Sequence, residues 1–179
     1  MSARSPSWLD TIDPAFGHWL AGFSDGESSF LIGRVSDGHG SQKTWPVCRY
    51  TLALRADDID ILRTMRQTLG FGGLYLTIQK TTTINANPRV SYVVTRADDC
   101  MRLVEFFERY PLRAKKAVAF GIWAEAVREL VKGRSRSEER IAIYRQRLTQ
   151  AIQYIPPTGL CSEMVQEGNP PILRNADRG

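Results

Sequence analysis

The 179-residue sequence contains no apolar stretch of about eighteen residues, the length a membrane-crossing helix needs, and no charged-then-apolar leader opens it. The expectation is a soluble, intracellular protein with no membrane partner; the composition does not distinguish an organellar, bacterial or phage-host compartment. Cysteine is scarce. Cys48, Cys100 and Cys161 are odd in number, far apart and without a C-x-x-C spacing, which argues against a zinc module and a disulfide framework and fits a reducing compartment. His18 and His39 are the only histidines, too few for a His-based nuclease or a Ser-His hydrolase. Internal repeats and long linkers are absent as well, so one domain accounts for the length.

What is present is positive charge and ordered periodicity. Lys and Arg total 24 against 19 acids, a net charge of +5 that favours a polyanionic partner without identifying one; no small-molecule substrate is expected. Residues 1–12 read as an arm. Asp13-Pro14 then offers an N-cap and a first helical residue, for a helix running to about Asp25. Two hairpins of alternating residues follow, one turning at Ser36–Ser41 and the other near Asn85–Pro88, with a helix between them carrying Ile59, Leu62, Met65 and Leu69 and ending at Gly70. Further helices are predicted over about 97–110, 113–131 and 137–154. The domain is thus drawn as 13–155, and 156–179, with four of the nine prolines, as a loosely held tail. This order predicts an α+β fold: a four-stranded antiparallel sheet with helices on one face, the other left to polar side chains.

The most informative stretch is the first helix. Gly17 and Ala21, then Gly22 and Gly26, place small residues four apart, a spacing that lets another helix approach closely. Asp25 and Glu27 follow at its C-terminal end. That end of a helix carries negative partial charge, so acids there do not stabilise it; with a divalent cation they would make sense.

Leu20-Ala21-Gly22-Phe23-Ser24-Asp25-Gly26-Glu27-Ser28 resembles the LAGLIDADG motif of homing endonucleases, and Ser29-Phe30 resembles that family's entry into its first strand. The likeness extends over about residues 12–131 through the α-β-β-α-β-β-α order of elements. It departs from the usual motif at Ser24, where an aliphatic residue is common, and at Ser28, where glycine is. With a single motif, the resemblance implies a homodimer whose motif helices pair across a twofold axis through Gly17, His18, Ala21, Gly22 and Asp25. It implies that Glu27, helped by the Gly26 carbonyl, holds Mg²⁺, with Mn²⁺ as a substitute and Ca²⁺ expected to bind without supporting cleavage. Asp25 takes a mainly structural role. Tyr110-Pro111-Leu112-Arg113-Ala114-Lys115-Lys116 resembles the family's Leu-x-x-Lys-Lys turn, and nominates Arg113 and Lys115 as catalytic cations with Lys116 in reserve. The family's water-ordering glutamine has no counterpart in Arg55-Ala56-Asp57, where Arg55 or Asp57 is left to substitute.

The partner implied is double-stranded DNA, cut on both strands in a long, roughly palindromic target such as a mobile intron's insertion site. The family reads it in the major groove with a saddle-shaped sheet. Strand alternation assigns Ser29, Leu31, Gly33, Arg49, Thr51, Arg55, Tyr75, Thr77, Gln79, Ser91 and Thr95 to the reading face. Arg34 joins them only if a bulge shifts its strand. Lys43 and Lys80, with His39 and Gln42, are assigned to the hairpin loops and to outer bases or phosphates. Trp19, Phe23, Phe120 and Trp123 are expected in the core, and the Lys132–Arg147 cluster on a solvated helix. An RNA-binding maturase or a non-cleaving DNA-binding regulator of the same fold is the alternative, and Glu27 argues against both.

Overall fold

Asp13 caps the first helix, its Oδ1 accepting the Ala15 backbone N–H at 3.1 Å, and Pro14 supplies the fixed φ of the first helical position. In this computed structural model, which describes residues 7–36, 44–78, 88–133 and 138–153, that helix (α1) spans Pro14–Glu27. It runs directly into strand β1, Ser28–Ser36, which pairs with β2, Thr44–Arg55. Helix α2, Ile59–Leu69, follows a 3₁₀ turn and ends at Gly70, whose φ of 76° is the left-handed cap that glycine adopts at least cost. Strands β3, Gly73–Thr77, and β4, Arg89–Val94, complete an antiparallel sheet in the order β1-β2-β4-β3. Helices α3, Ala97–Arg109, α4, Lys116–Val131, and α5, Glu138–Ile152, come last.

One face of the sheet is sealed by helices because alternate strand residues are large and apolar. Phe30, Ile32, Cys48, Tyr50, Leu52, Val90, Tyr92 and Val94 are buried there against Leu103, Val104 and Phe107 of α3 and Trp123 and Val127 of α4. Each such side chain, fully buried, stabilises the fold by roughly 1.5–3 kcal/mol. Phe30 alone meets Tyr50, Phe107, Phe120 and Trp123 at ring centroid distances of 5.2–6.1 Å. Helix α5 lies over α4 and β1, burying Ile141 and Leu148. The α+β order expected from the pattern is therefore present, with α5 added as an outer layer.

Three expectations need correction. Residues 7–12 do not behave as an arm: Trp8–Thr11 form a 3₁₀ turn closed by a reciprocal cap between Ser7 and Asp10. Leu9 and Ile12 are buried, and the Trp8 indole N–H donates to Glu105 at 2.8 Å. The apolar residues of this short segment give it enough burial to dock. Trp19, expected in the core, is 42% exposed on the outer side of α1, because the helix buries Leu20, Ala21 and Ser24 instead. Helix α4 begins at Lys116, not 113, since the preceding turn is fixed by Asp25. Cys48 and Cys100 are free, buried thiols; burial pushes the Cys100 thiol up to about 12 and raises that of Cys48 as well, so both stay protonated near neutrality. Residues 156–179, Cys161 and both hairpin turns, with His39, Gln42, Lys43, Gln79 and Lys80, lie outside the described residues.

Candidate functional site

The C-terminal end of α1 gathers the acids and one cation. Glu27 is the last residue of the helix and is exposed, as is Gly26. The helix closes through Ser28, whose hydroxyl and backbone N–H both donate to the Ser24 carbonyl, the hydroxyl at 2.6 Å. The Ser24 hydroxyl is in turn buried against the Tyr50 hydroxyl at 2.8 Å. The two serines that depart from the usual motif thus form one polar pin with Tyr50, anchoring the helix end to β2; burial raises the Tyr50 pKa, so the phenol stays neutral.

Asp25 is a tether. Its Oδ2 accepts the backbone N–H groups of Arg113 at 2.7 Å and Ala114 at 3.2 Å, which fixes the turn before α4. Its other oxygen, Oδ1, is buried without a hydrogen-bond partner among the described residues. The tether delivers Lys116, the first residue of α4, onto the end of α1: its ammonium donates to the Gly26 carbonyl at 2.7 Å and the Ser24 carbonyl at 3.2 Å. Burial lowers the Lys116 pKa, and the nearby Glu27 and Asp25 carboxylates oppose that shift. Carbonyls at the negative end of a helix already accept a cation here, as the macrodipole favours.

Not every residue expected at this end arrives. The Arg113 and Lys115 side chains are exposed in the turn, while Lys116, ranked behind them from the sequence, donates to the Gly26 and Ser24 carbonyls at the end of α1. That ranking depends on where α4 starts, which the run Arg113-Ala114-Lys115-Lys116 does not reveal. Arg55 and Asp57 pair with each other, Arg55 Nη2 lying 2.8 Å from Asp57 Oδ2. Along α1, Gly17 and Ala21 are buried inside the protomer. A Cβ on Gly17 would come within 2.4 Å of the Tyr110 ring, so this glycine exists for an internal contact. His18, Gly22 and Gly26 are exposed, and a Cβ on either of these two glycines would meet open space. The outward small-residue stripe is therefore Gly22 and Gly26, bordered by His18 and Trp19.

The second component is the helix-free face of the sheet. The register pairs Ser29 with Thr51, Leu31 with Arg49 and Gly33 with Val47 across β1–β2, and Thr51 with Val93, Ala53 with Ser91 and Arg55 with Arg89 across β2–β4. Tyr75 and Thr77 of β3 face Ser91 and Arg89. Ser29, Leu31, Gly33, Arg49, Thr51, Arg55, Tyr75, Thr77 and Ser91 thus share the open face as the alternation predicts, and Thr95, just past β4, is exposed. The register of β1 runs without a bulge, so Arg34 falls on the helix side, where its guanidinium donates to the Thr44 hydroxyl at 2.6 Å and carbonyl at 3.0 Å. Arg34 therefore leaves the reading set. Sequence reasoning missed Arg89, exposed opposite Arg55, although its parity with Ser91 and Val93 was there to be counted. It also missed Val35, Trp45 and Val47 on the same face. Arg49 Nε is buried with no hydrogen-bond partner among the described residues.

The profile of the LAGLIDADG endonuclease family matches residues 20–127, from the middle of α1 into α4. The chain belongs to the LAGLIDADG endonuclease family. Among curated proteins, this LAGLIDADG chain is 29% identical over 115 residues to the probable intron-encoded endonuclease Cox1-I1b of Schizosaccharomyces pombe, covering 64% of the chain and 26% of that protein. It is 30% identical over 114 residues to the probable intron-encoded endonuclease 3 of Neurospora crassa, covering 62% of the chain and 20% of the relative. The chain thus spans only 20–26% of the length of the curated relatives it matches. Among solved structures, the homing endonuclease I-TnaI superposes with a TM-score of 0.63 at 20% identity, over 78% of this chain and 89% of that one. The DNA-bound LAGLIDADG meganuclease I-AabMI superposes with a TM-score of 0.58 at 22% identity, over 74% of this chain but only 42% of its own. The fold is the LAGLIDADG fold.

The donor set at the α1 end is of the kind a hard divalent cation takes, oxygens only: an exposed carboxylate on Glu27 and the main-chain carbonyl of Gly26, which in this structure accepts the Lys116 ammonium. Among the described residues no group of three or more metal-ligating side chains occurs.

Proposed function

We propose that this LAGLIDADG chain acts as a homodimeric, site-specific DNA endonuclease that makes metal-dependent double-strand breaks in a long, roughly palindromic target read in the major groove. The observation that carries the reading is the placement of an exposed Glu27 at the end of a helix whose outward side is glycine, at the root of an open sheet face bearing Arg49, Arg55 and Arg89. Glu27 and the Gly26 carbonyl would hold Mg²⁺, which when bound lowers the pKa of water and stabilises charge on the leaving 3′ oxygen. The I-AabMI chain, more than twice as long as the segment it shares with this one, supports the idea that two copies make a complete enzyme.

The chain's own groups do the rest. Open-face side chains fix register on the duplex through base edges, while cations at the rim hold phosphates. Lys116, set beside Glu27 by the Asp25 tether, places a positive charge where phosphodiester charge builds up, and Arg113 and Lys115 supply a more distant field. Asp25 keeps the turn and α1 in one piece. The protein belongs where DNA is accessible, as suits an endonuclease of mobile introns.

The test is cleavage of a plasmid library of randomised sites by the full chain with Mg²⁺, against a chelator control. Linear product that needs the metal is expected; a library left intact would overturn the reading. Within it, Lys116→Met is expected to lower single-turnover cleavage about 100-fold, as loss of one preorganised charge-stabilising group commonly does. Either Arg113→Met or Lys115→Met should cost much less. A larger loss from Lys115→Met would return the role to that residue.

A further inference from the structure

The open face is not uniform along its length. Arg55, Arg89 and Thr77 lie at one end. At the other, toward the tip of the β1–β2 hairpin, the residues of the same parity are Leu31, Gly33 and Val35 on β1 and Trp45 and Val47 on β2, a stretch that is uncharged beyond Arg49, which pairs with Leu31 at its inner edge. Leu31 is 45% exposed, Val35 37% and Trp45 55%, and Trp45 stands directly across from Val35. Leu31 leans over Gly33, where an added Cβ would lie 3.1 Å from its Cδ2, so the two positions present one continuous apolar surface. Apolar side chains on a sheet face that no helix covers are costly in water unless a partner takes them.

From this patch, continuous with the arginine-bearing face, we infer that the β1–β2 end recognises thymine 5-methyl groups in the outer part of each half-site. The inference rests on the proposed DNA-reading role. Major-groove edges offer one apolar group, the thymine methyl, and aliphatic and aromatic side chains are its complement; hydrogen-bonding edges of guanine, adenine or cytosine would go unpaired against Leu31, Val35 and Trp45. Geometry sets the place. Leu31 and Val35 are four and eight residues beyond Glu27, so at about 3.3 Å per residue they lie about 13–26 Å along the strand from the cutting acid. At about 3.4 Å per base pair this corresponds to about four to eight base pairs from the cut.

The test uses the full chain with Ca²⁺, which permits binding without cutting, and a pool of randomised DNA duplexes. The enriched sequence is resynthesised with each thymine in turn replaced by deoxyuridine, which removes only the methyl group. Enrichment of thymine about four to eight base pairs from the centre, a loss of about fourfold in affinity per methyl removed there, and disappearance of that difference in Trp45→Ala and Leu31→Ala are expected. Trp45 and Leu31 are exposed, so both variants should fold, as circular dichroism would verify. Equal binding of the uracil duplexes, or a site without thymine in that stretch, would overturn the inference while leaving the DNA-reading role intact. A pool that yields no enriched sequence would overturn both. Thymine-independent self-association lost in Trp45→Ala would assign the patch to a second copy instead.

Discussion

Glu27→Gln is expected to abolish double-strand cleavage, by about 1,000-fold or more, equivalent to about 4 kcal/mol of barrier. The amide keeps the shape of the side chain and removes its charge, so what is lost is affinity for a hard cation beside the phosphates. Because Glu27 is exposed and makes no internal hydrogen bond among those described, the substitution should alter folding stability by less than about 0.5 kcal/mol. Binding of duplex in Ca²⁺ should persist, since Arg49, Arg55 and Arg89 are untouched. Cleavage by the variant at the parental rate would remove Glu27 from the chemistry; equal loss of binding and cutting would make it a DNA contact.

Two glycines five residues apart on α1, Gly17 and Gly22, should give opposite phenotypes, and the contrast yields the second large effect. Gly22→Arg places a long cation where the protomer leaves open space, so the protomer should fold, with the helix gaining about 0.5–1 kcal/mol from the loss of a mid-helix glycine. Two such side chains meeting across a twofold axis would clash and repel, and the variant should elute as a monomer and make no double-strand breaks. Gly17→Ala drives a methyl into the Tyr110 ring at 2.4 Å and should lower stability by about 1–3 kcal/mol. What folds of it should still dimerise. A Gly22→Arg protein that dimerises and cuts as the parent does would remove α1 from the subunit contact.

Much of this was legible in the chain. The alternation of Tyr50, Leu52 and Leu54 with Arg49, Thr51 and Arg55 gives the faces of the sheet, because a strand has only two sides and a buried side must be oily. Nine open-face positions followed from that rule alone, and Arg34 was separated from them by the same parity. What stayed hidden depends on three-dimensional phase. A helix with small residues at 17, 21, 22 and 26 has two stripes, and only the position of Tyr110, distant in sequence, tells which stripe is internal. Likewise the placement of Lys116 on the α1 carbonyls depends on Asp25, which grips two backbone N–H groups ahead of α4, a contact across 88 and 89 residues that no local pattern carries. The docking of Trp8, Leu9 and Ile12 was readable as apolar content but not as a location. Ser24 and Ser28, departures when read as letters, become intelligible only once Tyr50 is seen beside them.

The central proposal is that the Glu27 carboxylates of two protomers pair across a twofold axis. A crystal of the full chain on its selected duplex, grown with Mn²⁺ and measured at the manganese absorption edge, would test them directly. Anomalous peaks in contact with Glu27 of both protomers, close to the twofold axis and touching the phosphates that are cut, are the predicted result. Manganese bound elsewhere, or a Glu27 far from that axis, would contradict it.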